Sequence, residues 1–153
     1  MAKGKKSSCE RKVGFDMKKS SIYGKILKKK PKSERSKLIK ACDSTIREIV
    51  LIRDNHTCQR SGKKTRLQVA HYFSRSYLRT RWDESNLITL NSGVHLFWAH
   101  KKPEEFRDFY ISKIGQEEFD RLKLRTRVRG TIYAHELKII LVGLKIRLAE
   151  MKL

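Results

Sequence analysis

No two cysteines of this 153-residue chain form a C-x-x-C pair: the three are Cys9, Cys42 and Cys58. That spacing supports neither a disulfide framework nor a four-cysteine zinc site. No run approaches the roughly 18 apolar residues of a membrane span, and the N-terminal region carries charge without the apolar stretch of a signal peptide. The expectation is a cytoplasmic protein, or a nuclear one in a eukaryote, with no membrane partner. Internal repeats are absent. Acid is scarce as well: 16 Asp+Glu face 37 Lys+Arg, a formal net charge of +21 with pI near 10.2. Charge of that size points to a polyanion, because neutralising phosphates supplies most non-specific nucleic-acid affinity. Length predicts one domain with appendages, large enough to bury a core.

Residues 1–35 are rich in Lys, Ser and Gly, and the first 40 residues hold 15 basic against 3 acidic side chains. Such a segment reads as a basic flexible arm that cannot fold well alone. The domain proper is expected over 36–153. "SKLIKACDSTIREIVLIR" predicts a helix over 36–53, with Leu38, Cys42, Ile46, Ile49 and Val50 on its buried face. The character changes at 54: "DNHTCQRSGKK" reads as turns, "RLQVAHYF" as a strand, "SRSYLRTRWDES" as a basic loop, and "NLITL" as a second strand. Pro103 suits the first position of a helix that Gly115 ends. "QEEFDRLKL" predicts a short helix stopped by the basic loop "RTRVRG". Thr131 is the expected N-cap of a last helix, whose stripe of Leu137, Ile140, Leu141, Leu144 and Leu148 suits either core or a dimer face.

Three of the five histidines, His71, His95 and His100, fall within the least helical region, and Asn86 stands between them. The order His, Asn, His over strand, loop, strand and helix suits hydrolysis of a phosphodiester. A neutral imidazole serves as general base on water, and a second imidazole holds a divalent metal that neutralises charge on the phosphate and leaving oxygen. An amide between them would tie the loop to the base and fix its ring. His56, in a turn, and His135, on the last helix, carry no catalytic expectation. Trp82 suits core packing better than a base-stacking role.

These residues resemble a known family. His71, Asn86 and His95 are similar in type and spacing to the HNH, or ββα-metal, nucleases, whose typical segment runs N-L-x-x-L-C-x-x-C-H. "NLITLNSGVH" keeps Asn86, Leu87, Leu90 and His95 in register. "AHYFSRS", "RWDESNL" and "ISKIGQEEFDRL" look like one subgroup, the phage recombination nucleases of the lambda NinG (Rap) type, over roughly residues 30–150. The resemblance implies an α+β fold. Its small ββα-metal core, a short hairpin and a helix over about 54–102, would be flanked by an N-terminal helix and a helical part over 103–153. It also implies a DNA endonuclease of phage recombination, working in the bacterial host's cytoplasm on branched DNA such as a Holliday junction or D-loop. His71 and Asn86 would be catalytic, and His95 would hold Mg²⁺ or Mn²⁺ with help from His100. A homodimer would suit paired nicks.

The chain departs from the zinc-bearing members at both cysteine pairs, where Cys58 and Ser61, then Asn91 and Val94, now stand. One thiolate of four remains, so no structural Zn²⁺ is expected, and packing by Val94, Leu96, Phe97 and Trp98 is expected to hold the turn. Ala70 precedes the proposed base where many such nucleases carry a metal ligand. On a regular helix His100 lies about 140° around from His95, so an extra oxygen from Asn86 or Asp83 is also considered. Arg75, Arg79 and Arg81 in the basic loop, with Lys101 and Lys102, are candidate phosphate contacts. A second basic cluster at 121–129 and the N-terminal arm would lengthen the DNA footprint. The alternative class is a DNA-binding protein that keeps the scaffold without cutting.

Overall fold

The computed structural model describes residues 33–153, and the basic arm, apart from its last three residues, lies outside them. The chain is α+β, as the sequence implies. Helix α1 spans Glu34–Arg53; Ser33 caps it by accepting the Ser36 N–H, and Cys42, Ile46, Ile49 and Val50 are its buried side chains. A turn region follows, in which Asn55 and His56 take left-handed backbone (φ 53° and 47°). Strands β1 (Leu67–His71) and β2 (Leu87–Asn91) then form an antiparallel pair in which His71 faces Leu87 and Leu67 faces Asn91. The connection between them makes two single 3₁₀ turns, Leu78–Thr80 and Glu84–Asn86.

Helix α2 starts as Ser92–Val94 and continues without a break as a π-helical turn over His95–Ala99. Helices α3 (Pro103–Ile114), α4 (Gln116–Arg127) and α5 (Ala134–Glu150) complete the chain. Pro103 opens α3 because its missing N–H would be unpaired there anyway. Gly115, at φ 83°, makes the sharp junction to α4 that a β-carbon would strain.

The hairpin lies between two cores, which explains why "LITL" is apolar on consecutive positions rather than alternating. Val69 and Leu87 face α1 and α5, alongside Ile46, Ile49 and Leu137. Ala70, Ile88 and Leu90 face the other way, onto Trp98, Phe106, Tyr110 and Phe119. Thr89 is fully buried in the strand with both donors partnered: its hydroxyl donates to the Val50 carbonyl at 3.5 Å and its N–H to Asp54 Oδ2 at 2.7 Å. A strand buried on both faces fixes its register firmly, since a one-residue slip would exchange the contents of the two cores.

Two details differ from the sequence reading, and the stripe of the last helix takes one of the two roles it suits. α4 runs through Arg127, so the first half of "RTRVRG" is helical, and Arg125 is drawn in by Asp83 (2.9 Å) and Glu118 (2.7 Å). The last helix starts at Ala134 rather than at a Thr131 cap; Ile132 is buried and Glu136 accepts the Tyr133 N–H at 2.8 Å. The stripe Leu137–Leu148 packs on α1 as core, which leaves Ile139, Val142 and Ile146 on the outer face. Trp82 is core too, with its Nε1 donating to Asp43. Among the described residues, no helix is long and apolar enough to cross a membrane.

Candidate active site

His71 closes β1, where the strand ends and its side chain reaches the molecular surface half-buried. Its Nε2 lies 3.0 Å from the Arg81 carbonyl oxygen. A carbonyl only accepts, so Nε2 carries the proton and Nδ1 presents a lone pair. Arg75 Nε donates to that Nδ1 at 3.4 Å. Burial holds the imidazole's pKa below its ordinary value, against a rise from the Arg81 carbonyl and aided by the Arg75 charge. A neutral ring with one free, fixed nitrogen is the state a general base needs.

The carbonyl that fixes His71 is itself anchored. Arg81 makes a bidentate pair with Asp43 of α1 (Nε to Oδ1 3.0 Å, Nη2 to Oδ2 2.7 Å), and Trp82 Nε1 donates to the same carboxylate at 2.8 Å. Burial would raise the Asp43 pKa, but these donors outweigh it and hold the carboxyl below its usual range. Arg81, expected as a phosphate clamp, therefore spends its guanidinium inside the protein. Asp43 is the member of this chain that sequence reasoning missed; it stands one residue after the buried Cys42, and nothing local marks it.

Asn86 is fully buried and does not join the cleft. Its Nδ2 donates to the Phe73 and Thr80 carbonyls (3.0 and 2.9 Å), and its Oδ1 accepts the Phe73 N–H at 2.8 Å. The amide thus staples both ends of the 73–80 loop, just beyond His71 and just before Arg81. It acts as a positioning residue, with no oxygen to spare for a cation. Asp83 is equally committed, to Ser85 and Arg125.

His95 and His100 come together by a device the sequence reading missed. His100 N–H donates to the His95 carbonyl at 3.3 Å, an i→i+5 bond. Such a turn holds one residue more than an α-turn, so positions five apart return to the same side. The two rings lie 4.6 Å apart between centroids. Gln68 Oε1 sits 2.9 Å from His95 Nδ1, which assigns the proton to Nδ1 and leaves Nε2 as a donor atom for a metal. Burial, then the neighbouring His100 and Arg75, lowers the His95 pKa. Gln68 is exposed on β1 and carried no signal in the sequence beyond its place three residues before His71.

His71, His95 and His100 line one cleft of about 450 Å³ together with Tyr72, Ser74 and Phe106. Among the described residues, no three His, Cys, Asp or Glu side chains converge closely enough to hold a metal alone. The donor set fits a divalent ion that takes two imidazoles and completes its shell with water and phosphate oxygens. Behind His71 a second cleft, of about 300 Å³, is lined by Lys40, Arg47 and Arg75 with Asp43. Lys40 and Arg47 were not among the expected phosphate contacts.

Of those that were, Arg75 lies at the site. Arg79 pairs with Glu136 (3.7 Å) and Lys102 with Glu105 (2.7 Å). Lys101 is exposed over the Phe97 ring. In the cluster at 121–129, Arg121 pairs with Glu117 and Glu118, and Arg125 is bound as above. His56 and His135 are exposed and outside the cleft.

The turn carrying His95 is held where thiolates would otherwise stand. Asn91 Nδ2 donates to the Thr65 carbonyl at 2.7 Å, and its Oδ1 caps α2 by accepting the Gly93 N–H at 3.0 Å. Cys58 is buried, and its sulfur accepts the Ser61 N–H at 3.4 Å. Burial would raise that thiol's pKa, but the surrounding N–H donors bring it below its ordinary value. Trp98 supplies the packing: Arg60 stacks 3.6 Å from its ring centre, Phe106 and Phe109 meet it edge-on, and its Nε1 donates to Glu105. Leu96 and Phe97, expected to share that packing, point outward instead.

Comparison with family models, curated proteins and solved structures finds no match to this chain.

Proposed function

We propose that this protein is a metal-dependent HNH-type DNA endonuclease, similar to the phage recombination nucleases of the NinG (Rap) type, acting on branched DNA. One observation carries the reading: His71 is fixed with a neutral, outward Nδ1 in the same cleft as the His95–His100 pair. In the proposed reaction Nδ1 takes a proton from water as that water attacks phosphorus. The Arg81 carbonyl accepts from Nε2–H throughout and stabilises the imidazolium that forms. Arg75 leaves Nδ1 for a phosphate oxygen when substrate enters, and its fork suits that partner better than an imidazole.

His95 Nε2 and His100 would hold the divalent ion, whose chemistry is to neutralise charge on the phosphate and on the leaving 3′-oxygen. Two nitrogen donors suit Mn²⁺ better than Mg²⁺, which prefers oxygen. Lys40, Arg47 and Arg75 would bind the strand behind the scissile phosphate. Branch selectivity and a role in recombination rest on the resemblance alone, as does a homodimer.

The second reading, a DNA-binding protein that does not cut, is favoured by the lack of a third ligating side chain among the described residues. Supercoiled plasmid and a synthetic four-way junction, each with Mn²⁺, Mg²⁺ or EDTA, separate the two. Cleavage that needs metal and disappears in His71→Ala supports the nuclease. Tight binding with no cut under any metal rejects it.

A further inference from the structure

The π-helical turn has two sides, and only one faces the histidine cleft. On the other, Leu96 and Phe97 are 56% and 64% exposed, adjacent in sequence and without a partner in either core. They border a shallow cleft of about 390 Å³ whose other lining includes Lys63, Arg66, Asn91 and Ser92, with no carboxylate. The Lys101 ammonium stands 5.5 Å from the Phe97 ring centre. Arg66 holds left-handed backbone (φ 51°), uncommon for a non-glycine, at the entry to β1. An aromatic and an aliphatic side chain whose charged neighbours in this cleft are cations match an occupant that is flat and apolar on its face but anionic along its backbone.

We propose that Leu96 and Phe97 form a wedge that stacks on an unpaired or unstacked DNA base, with Lys63, Arg66 and Lys101 taking the flanking phosphates. The inference rests on the nuclease reading and deepens it: the site accepts DNA in which a base is already free of its stack. A base is stacked on any aromatic face regardless of sequence, whereas unstacking a paired one costs energy that a junction or flap has already lost. Because His95 and Phe97 share one turn and line separate clefts on its two sides, DNA bound at both would have its stacked base across that turn from the phosphate presented to His71. Branched DNA would thus be distinguished from duplex by a stacking contact rather than by base-edge hydrogen bonds.

The test is binding in EDTA, where nothing is cut, by fluorescence anisotropy on three probes: a duplex, the same duplex with a short unpaired thymine bulge, and a four-way junction. A 2-aminopurine beside the bulge or the crossover reports stacking. The wild-type chain is expected to prefer bulge and junction and to quench the 2-aminopurine. Phe97→Ala should lose roughly tenfold or more on those two probes, with duplex affinity unchanged and quenching gone. Phe97→Trp should restore both, which separates stacking from misfolding.

Equal losses of Phe97→Ala on all three probes, no quenching by the wild type, or no rescue by Trp would overturn the proposal. The nuclease reading fails separately. Quenching without metal-dependent cleavage would reject the nuclease and keep the wedge; cleavage without quenching would do the reverse.

Discussion

At the scale of single residues, the arginines of the 75–81 loop have different tasks although the sequence offers them as equals. Arg81 is a structural partner of Asp43, so Arg81→Ala should lower stability by about 2 kcal/mol, readable as a fall in Tm. Arg75 makes a single long hydrogen bond, to His71 Nδ1, so Arg75→Ala should leave Tm nearly in place, weaken DNA binding and flatten its salt dependence. An unchanged Tm in Arg81→Ala would remove the anchoring role assigned to Asp43. Asn86→Ala strands two carbonyls and one N–H, and about 3 kcal/mol of stability should go with it. Proton linkage at His71 has a definite sign. Its folded pKa is depressed, so the unfolded chain binds more protons just below the ordinary value of about 6.5, and stability should fall as pH drops through that window. Cleavage should show an acid limb below the same value, checked by a pH–rate profile against His71→Ala, which should lose about 10² or more in rate.

At the scale of elements, α1 and α3 were legible because each buries one face whose period the side chains record, and the strands because short apolar runs between turn residues mark them, β2 being apolar on both faces. Cys42, Ile46, Ile49 and Val50 announce α1, and Pro103 and Gly115 bracket α3. The start of the last helix is less legible, because Ile132 buries itself before the helix begins. The site was legible in part. His71, Asn86 and His95 could be chosen, but the π-turn that brings His100 beside His95 is a matter of backbone hydrogen bonding, and the side-chain pattern "HLFWAH" does not encode it. Gln68 and Asp43 act through tertiary contacts and were invisible for the same reason. That turn yields its own prediction: His95→Ala should abolish Mn²⁺ binding measured by calorimetry, and His100→Ala should weaken it about tenfold or more. Equal affinity in His100→Ala would mean the paired rings do not share an ion.

At the scale of the whole molecule, a hairpin buried on both sides joins the two cores, and the cleft opens where that hairpin meets α2. Mutations in either core should therefore reach the site through β1 and β2 rather than through loops. The basic segment through Lys40 bears more than half of the net charge and lies mostly outside the described residues. Removing residues 1–31 should reduce the magnitude of the slope of log K against log salt by about 0.9 for each phosphate that the arm neutralises, whatever the probe. An unchanged slope would confine binding to residues 32–153. The hydrogen bonds of Asn91 have a different consequence. They hold the α2 turn with an amide, where a metal-stapled knuckle would tie its folding to zinc supply and thiol chemistry. Here the two dependencies come apart. A chelator should silence the proposed reaction and remove only the stabilisation that a bound ion adds by mass action, leaving a chain that still melts cooperatively, and an oxidant should find no staple to open.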